Sequence, residues 1–238
     1  ADDSWDERFV EEIARLVAQA PAAAGCVFTG YVRDWGDRPA ERDKHSANSG
    51  SDAVASLDFE GFLSSWLRFG DCPIWTSASA FRRDVLFQAG LFPERCRRGG
   101  DKDLWLRVMA CADALSSPRV CAAYHKSTIH QVTRTVGTNA RPCMYRTIGK
   151  MVRESSGRRR RLLMRVFNQE VLAYARQLRQ RERLSPAIYR GFFVFTDPTG
   201  YLALLALSYL PLPVQAVLKR AFVWGRGVAR SAMGGARP

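Results

Sequence analysis

Two groups of carboxylates carry the types and spacing that could do chemistry. Asp2 and Asp3 stand just before a helical pattern, and Asp101-Lys102-Asp103 opens another behind Gly99-Gly100. Grouped carboxylates can hold a hard divalent cation such as Mg2+ or Mn2+, which seeks oxygen ligands. A single carboxylate aimed at a reacting hydroxyl can take its proton as a general base. Acidic residues are also favoured at any helix start, where the dipole and the unpaired amides attract them. Both readings stand for both groups. Other polar residues cluster in the same region. Trp75 can stack on a sugar ring or lie buried in a strand. Arg82 and Arg83 can steer an anion or lie solvated on the surface. His45, His125 and His130 are single histidines of the kind that is more often structural than ligating.

The elements that must position these residues follow from periodicity. Ser4 and Glu7 have capping-box spacing, and Phe9, Val10, Ile13, Leu16 and Val17 recur at helical intervals before Pro21. Residues 26–35 (CVFTGYVRDW) read as a strand, rich in aromatic and β-branched side chains. Residues 36–55 lack periodicity and read as a long loop. Phe59, Phe62, Leu63, Trp66 and Leu67 mark a second helix, and residues 72–81 a second strand. Residues 83–89 form a short helix ended by Gly90. From Asp101 to about Ala114 the pattern is helical again, with Arg119–Tyr124 a short strand after Pro118. Beyond Arg141, residues 144–153, 160–183, 201–210 and 214–224 all read as helices.

Set in order, three stretches resemble family 2 glycosyltransferases. Residues 1–13 (ADDSWDERFVEEI) are similar to the end of that family's metal-binding turn, where an Asp-x-Asp motif closes a strand and an aromatic residue starts a helix. Ser77-Ala78-Ser79-Ala80-Phe81-Arg82-Arg83, Ala89-Gly90-Leu91-Phe92 and Asp101-Lys102-Asp103-Leu104-Trp105-Leu106-Arg107 resemble its acceptor-side signature. The resemblance implies an α/β class with a partial GT-A fold, a mixed sheet with helices, followed by an α-helical extension. It implies inverting transfer of a sugar from a nucleoside diphosphate-sugar donor to a carbohydrate or lipid-linked acceptor, in surface glycan or polysaccharide synthesis. Carried over by residue, Asp2, with Asp3, would bind the Mg2+ or Mn2+ that clamps the donor diphosphate. Asp101 would be the catalytic base. Trp75, Ser77, Arg82, Asp103 and His125 would line the substrates. His125 falls where some GT-A enzymes place a metal or diphosphate ligand. Two positions depart from the family: its first motif Asp would precede Ala1, and Gly100 stands for the Glu beside the base. The match spans about residues 1–135, the acceptor-side half of the domain, with 136–238 as the extension. The expectation is a fragment that by itself binds donor weakly or not at all and is inactive.

Charge divides the chain in the same way. Residues 1–140 hold 17 Lys+Arg and 19 Asp+Glu, whereas residues 141–238 hold 19 and 4 and carry a net charge of +15. Such a segment meets polyanions. Its arginines, Arg158–Arg161 foremost, are mixed with long apolar runs, which favours an anionic membrane surface over nucleic acid. The rival reading is a non-catalytic basic protein that binds membrane or nucleic acid. The longest apolar run, residues 201–210, is too short to span a bilayer, which needs about 20 residues. A cytoplasmic enzyme at the inner face of the membrane is expected. The six cysteines show no CxxC spacing and read as reduced, mostly buried thiols, with the alternative that a few pair in an oxidising compartment.

Overall fold

A computed structural model describes residues 3–49, 53–127, 141–179, 184, 188, 190–210 and 214. The chain is mixed α/β. It divides into two compact units, Ala1–Phe167 and Asn168–Pro238.

In the first unit, two long parallel strands form the spine of a mixed sheet: β2 (Ala24–Asp34) and β6 (Asp113–His125). Short antiparallel strands complete the edges. β1 (Ser4–Trp5) and β4 (Ala55–Leu57) pair with β6, while β3 (Glu41–Arg42) and β5 (Ser79–Phe81) pair with β2. The first eight residues of β2 are buried without interruption, as expected of a strand flanked on both edges and covered by helices. β6 runs through Pro118 with shifts of register against Thr29–Tyr31 rather than starting beyond it. Gly30 is required there: a Cβ would lie 2.7 Å from the Ser46 side chain and 3.1 Å from the Pro118 carbonyl.

Five helices surround this sheet: α1 (Phe9–Gln19), α2 (Lys44–Ala47), α3 (Phe59–Phe69), α4 (Arg83–Ala89) and α5 (Gly100–Cys111). Leu16 of α1 packs on Val27 and Leu115. α5 is buried on nearly all sides through Leu104, Trp105, Leu106, Val108 and Met109, so it is an interior helix rather than an amphipathic one. α6 (Met144–Glu154) packs against it, and α7 (Gly157–Arg179) carries Leu163 and Val166 into the core. In the second unit, buried Asn168 exchanges hydrogen bonds with the Phe193 backbone, 2.8 and 2.9 Å, and Asp197 caps α8 (Pro198–Tyr209). No helix among the described residues is long and apolar enough to cross a membrane.

Several expectations need correction. Ser4 does not cap a helix; it belongs to β1, opposite Ala123, and α1 begins at Phe9 after an Asp6 turn. The region read as one loop, 36–55, contains β3, α2 and the start of β4, held by the buried carboxylate of Asp43. Residues 72–81 are mostly irregular, with only Ser79–Phe81 in the sheet. The cysteines are not all reduced: Cys96 and Cys143 form a disulfide, and Cys111 is exposed, leaving Cys26, Cys72 and Cys121 as buried thiols. Apart from Val214, the helix expected over 214–224 lies outside the described residues.

Glu12 ties α1 to β6 and gives the fold an acid limit. Its buried carboxylate takes two bonds from Arg15, one from the Ser117 hydroxyl and one from Arg119 at 3.2 Å. The Arg15 guanidinium foremost, with Ser117, holds it down to about 2 from an ordinary 4.5. A depressed carboxylate stabilises the fold above its unfolded value, and that contribution disappears as pH falls toward about 2. Glu12→Gln is expected to cost about 2 kcal/mol near neutrality. It should also flatten the dependence of melting temperature on pH between those two values, which thermal scans across the acid range will read.

Candidate functional site

The carboxyl ends of β2 and β6 lie side by side, with Asp34 opposite His125 in the parallel register. Open α/β sheets bind ligands outside the carboxyl ends of their strands. Here β1 adds a third strand end, because Ser4 and Trp5 pair with Ala123 and Ala122. The result is a line of hydrogen bonds. Ser4 Oγ lies 2.9 Å from His125 Nε2, and His125 Nδ1 lies 3.0 Å from Asp34 Oδ2. The Gly36 amide, then His125, holds the Asp34 carboxyl below its ordinary value. An ionised carboxylate only accepts, so the His125 Nδ1 facing Asp34 carries a proton. Where Nε2 is unprotonated, the Ser4 hydroxyl donates to it.

Asp3 sits beside this relay. Its Oδ2 accepts from Ser77 Oγ at 2.5 Å and from Trp75 Nε1 at 3.2 Å. Its Oδ1 is buried with no hydrogen-bond partner among the described residues. Trp75 itself contacts Tyr31 and Tyr124, with ring centroids 5.5 and 4.3 Å apart. Trp5 stacks one face on Phe9 with ring centroids 4.5 Å apart, donates its indole N–H to the Ser77 carbonyl and still stays 61% exposed, whereas Trp75 is packed between Tyr31 and Tyr124. Positive charge gathers nearby. Arg33 binds the Tyr31 hydroxyl, and Lys126 lies over the Trp35 and Tyr124 rings. Burial, then Arg33, pushes the Lys126 ammonium below its ordinary value.

Asp101 is reached from this cluster through a continuous line of contacts. Tyr31 leads to Arg33 at 2.9 Å, Arg33 to Asp71 at 2.5 Å, and Asp71 to Lys102 at 3.8 Å, the residue after Asp101. Asp101 occupies the first turn of α5, where its Oδ1 accepts from the Lys102 amide at 2.7 Å. Gly99 precedes the helix with φ +67°, a conformation that disfavours any side chain. At Gly100 a Cβ would lie 3.3 Å from Cys96 Sγ, a tight contact that the disulfide-bonded sulfur would relieve by moving a few tenths of an ångström.

The remaining expected residues fall elsewhere. Asp103 faces inward, 3% exposed, and is bonded to Arg107 and to Thr147 Oγ1. Arg82 pairs with Asp84 and reaches the carbonyls of Ala22 and Ala24, at the opposite end of β2 from Asp34. Asp2 and His130 lie outside the described residues. His45 is half-buried against Ser65, Phe28 and Phe69. Sequence reasoning missed Ser4, Asp34, Arg33, Asp71 and Lys126. The available signal was polar residues at the ends of two apolar strands, Arg33-Asp34 and His125-Lys126.

A divalent cation would meet one oxygen ligand here. A buried carboxylate oxygen with no donor is an unmet demand for positive charge, and Asp3 Oδ1 is in that state. Among the described residues, no three His, Cys, Asp or Glu side chains form a metal cage. Asp3 would therefore contribute one ligand to a shell completed by other oxygens. Compared with known proteins, the chain matches no family model and no curated protein. Its activity must be argued from these residues.

Proposed function

We propose that the chain supplies the acceptor side of an inverting sugar transfer from a nucleoside diphosphate-sugar, of the family 2 type. One observation carries the reading. Asp3, with its unpartnered buried oxygen, lies with His125 at the strand ends, and a contact chain joins that cluster to the helix start bearing Asp101. In this reading the strand ends would take the diphosphate and Asp101 would act as the base, with the Tyr31–Arg33–Asp71–Lys102 contacts between them.

In the proposed reaction, an acceptor hydroxyl attacks the anomeric carbon as the bond to the diphosphate oxygen breaks. Asp101 takes the hydroxyl proton, and the nucleoside diphosphate leaves with the bonding electrons. Arg33 and Lys126 favour the charge growing on the leaving group. Asp34 orients His125, whose Nε2 can turn from Ser4 toward a ligand. Trp5 supplies a flat apolar surface for a sugar ring. Mg2+ or Mn2+ held at Asp3 would neutralise diphosphate charge when bound.

A spectroscopic test needs no knowledge of the donor. Mn2+ titrated into the protein should broaden the indole N–H signals of Trp75 and Trp5 first and the Lys102 amide next. Asp3→Asn should remove all three effects together. Broadening that is indifferent to Asp3→Asn would discard the metal assignment.

A further inference from the structure

A cavity of about 480 Å3 lies between α3 and α7, entirely within the first unit. That volume falls in the range of small-molecule sites, about 300–1,000 Å3. Ser64, Leu67 and Arg68 line it from α3, and Arg158, Arg161, Leu162 and Arg165 from α7. Positions 158, 161, 162 and 165 follow the i, i+3, i+4, i+7 spacing of one helix face. Four arginines therefore border one space with two leucines in its wall.

The charge there is poorly balanced. Glu60, 3.5 Å from Arg158, is the one carboxylate within ion-pair distance of these four arginines among the described residues. α7 has no acidic residue in its first turn, yet Arg158–Arg161 stand at its positive end, where cations are disfavoured. Like charges gathered around a space raise its potential for an anion. Planar guanidinium groups fit phosphate oxygens in bidentate fashion. Arg161 and Arg165, with no carboxylate within ion-pair distance among the described residues, and Arg68, which lies over the Phe69 ring, match a multiply charged phosphate better than a single carboxylate.

We propose that this cleft is a binding site for a phosphomonoester or diphosphate group, separate from the carboxylates of the sugar-transfer site. The group comes from a soluble phosphorylated compound or from the headgroup of a lipid such as phosphatidic acid. The site does not depend on sugar transfer, and its test omits divalent metal so that the two stay distinguishable.

The test uses the whole chain in EDTA. Calorimetry measures inorganic pyrophosphate, and flotation measures phosphatidylcholine vesicles with and without phosphatidic acid. Arg161→Gln with Arg165→Gln should weaken binding by about tenfold or more, because two charge-assisted contacts are lost. A charge-matched control, Arg153→Gln with Arg176→Gln at two exposed positions outside the cavity, should bind nearly as the parent does. Melting temperatures of both variants check that the fold is kept. Pyrophosphate binding lost in the cavity variant supports a soluble source; binding confined to phosphatidic acid vesicles and lost likewise supports a lipid source. The proposal is overturned if the parent binds neither probe, if the cavity variant binds as the parent does, or if the control loses as much.

Discussion

Asp103→Ala is expected to lower the melting temperature by about 6–12 °C, the consequence of losing about 3 kcal/mol in a chain of this size. The Asp103 carboxylate is buried and engages Arg107 Nε at 3.0 Å and Nη2 at 2.8 Å. Its second oxygen accepts from Thr147 Oγ1 of α6. Arg107 in turn donates to the carbonyls of Ala89 and Leu91, which flank the left-handed Gly90 after α4. One carboxylate thus holds α4, α5 and α6 in register. Its removal leaves a guanidinium with only carbonyl partners and a hydroxyl with no acceptor. Such uncompensated groups cost more than the intact pair contributes. The Arg107 side chain is 22% exposed, so water softens the penalty and the estimate stays at the low end of the buried range. Differential scanning calorimetry will read the change. An unchanged melting temperature with weaker acceptor binding would instead return Asp103 to the substrate site.

The contrast between Asp101 and Asp103 shows what the sequence could and could not reveal. Both belong to one acidic tripeptide at a helix start, and either could be read as a base, a substrate ligand or a cap. Residues two apart on a helix do not share a face, so only one of them could point at a given site. That much was legible. Which one turned inward depended on Arg107 and Thr147, and Thr147 is 44 residues away.

The same division runs through the fold. α3 and α5 were legible because dense apolar spacing and glycine punctuation are local signals. β1 was not, because Ser4-Trp5 extends only by pairing with Ala122 and Ala123. The Cys96–Cys143 pair spans 47 residues and no spacing rule announces it. The relay at the strand ends is still less local: Ser4 and Asp34 lie 121 and 91 residues from His125. Asp3 was visible as an acidic residue near a helix, but its buried, unpartnered oxygen emerges only when Trp75 and Ser77 close over it.

The proposed mechanism places the whole burden of deprotonation on one side chain, which makes it vulnerable to one substitution. Among the described residues, Asp101 accepts one bond, from the neighbouring Lys102 amide within its own turn, so replacing its carboxylate by an amide keeps the shape and removes the basicity. The decisive measurement compares Asp101→Asn with the parent, in the protein as the cell makes it, against uridine, guanosine and thymidine diphosphate sugars. Sugar transfer to acceptor and spontaneous donor hydrolysis are followed separately. Transfer should fall by about 100-fold or more, the usual share of a general base, with hydrolysis and melting temperature nearly unchanged. Transfer that survives the substitution at the parent rate would contradict the account.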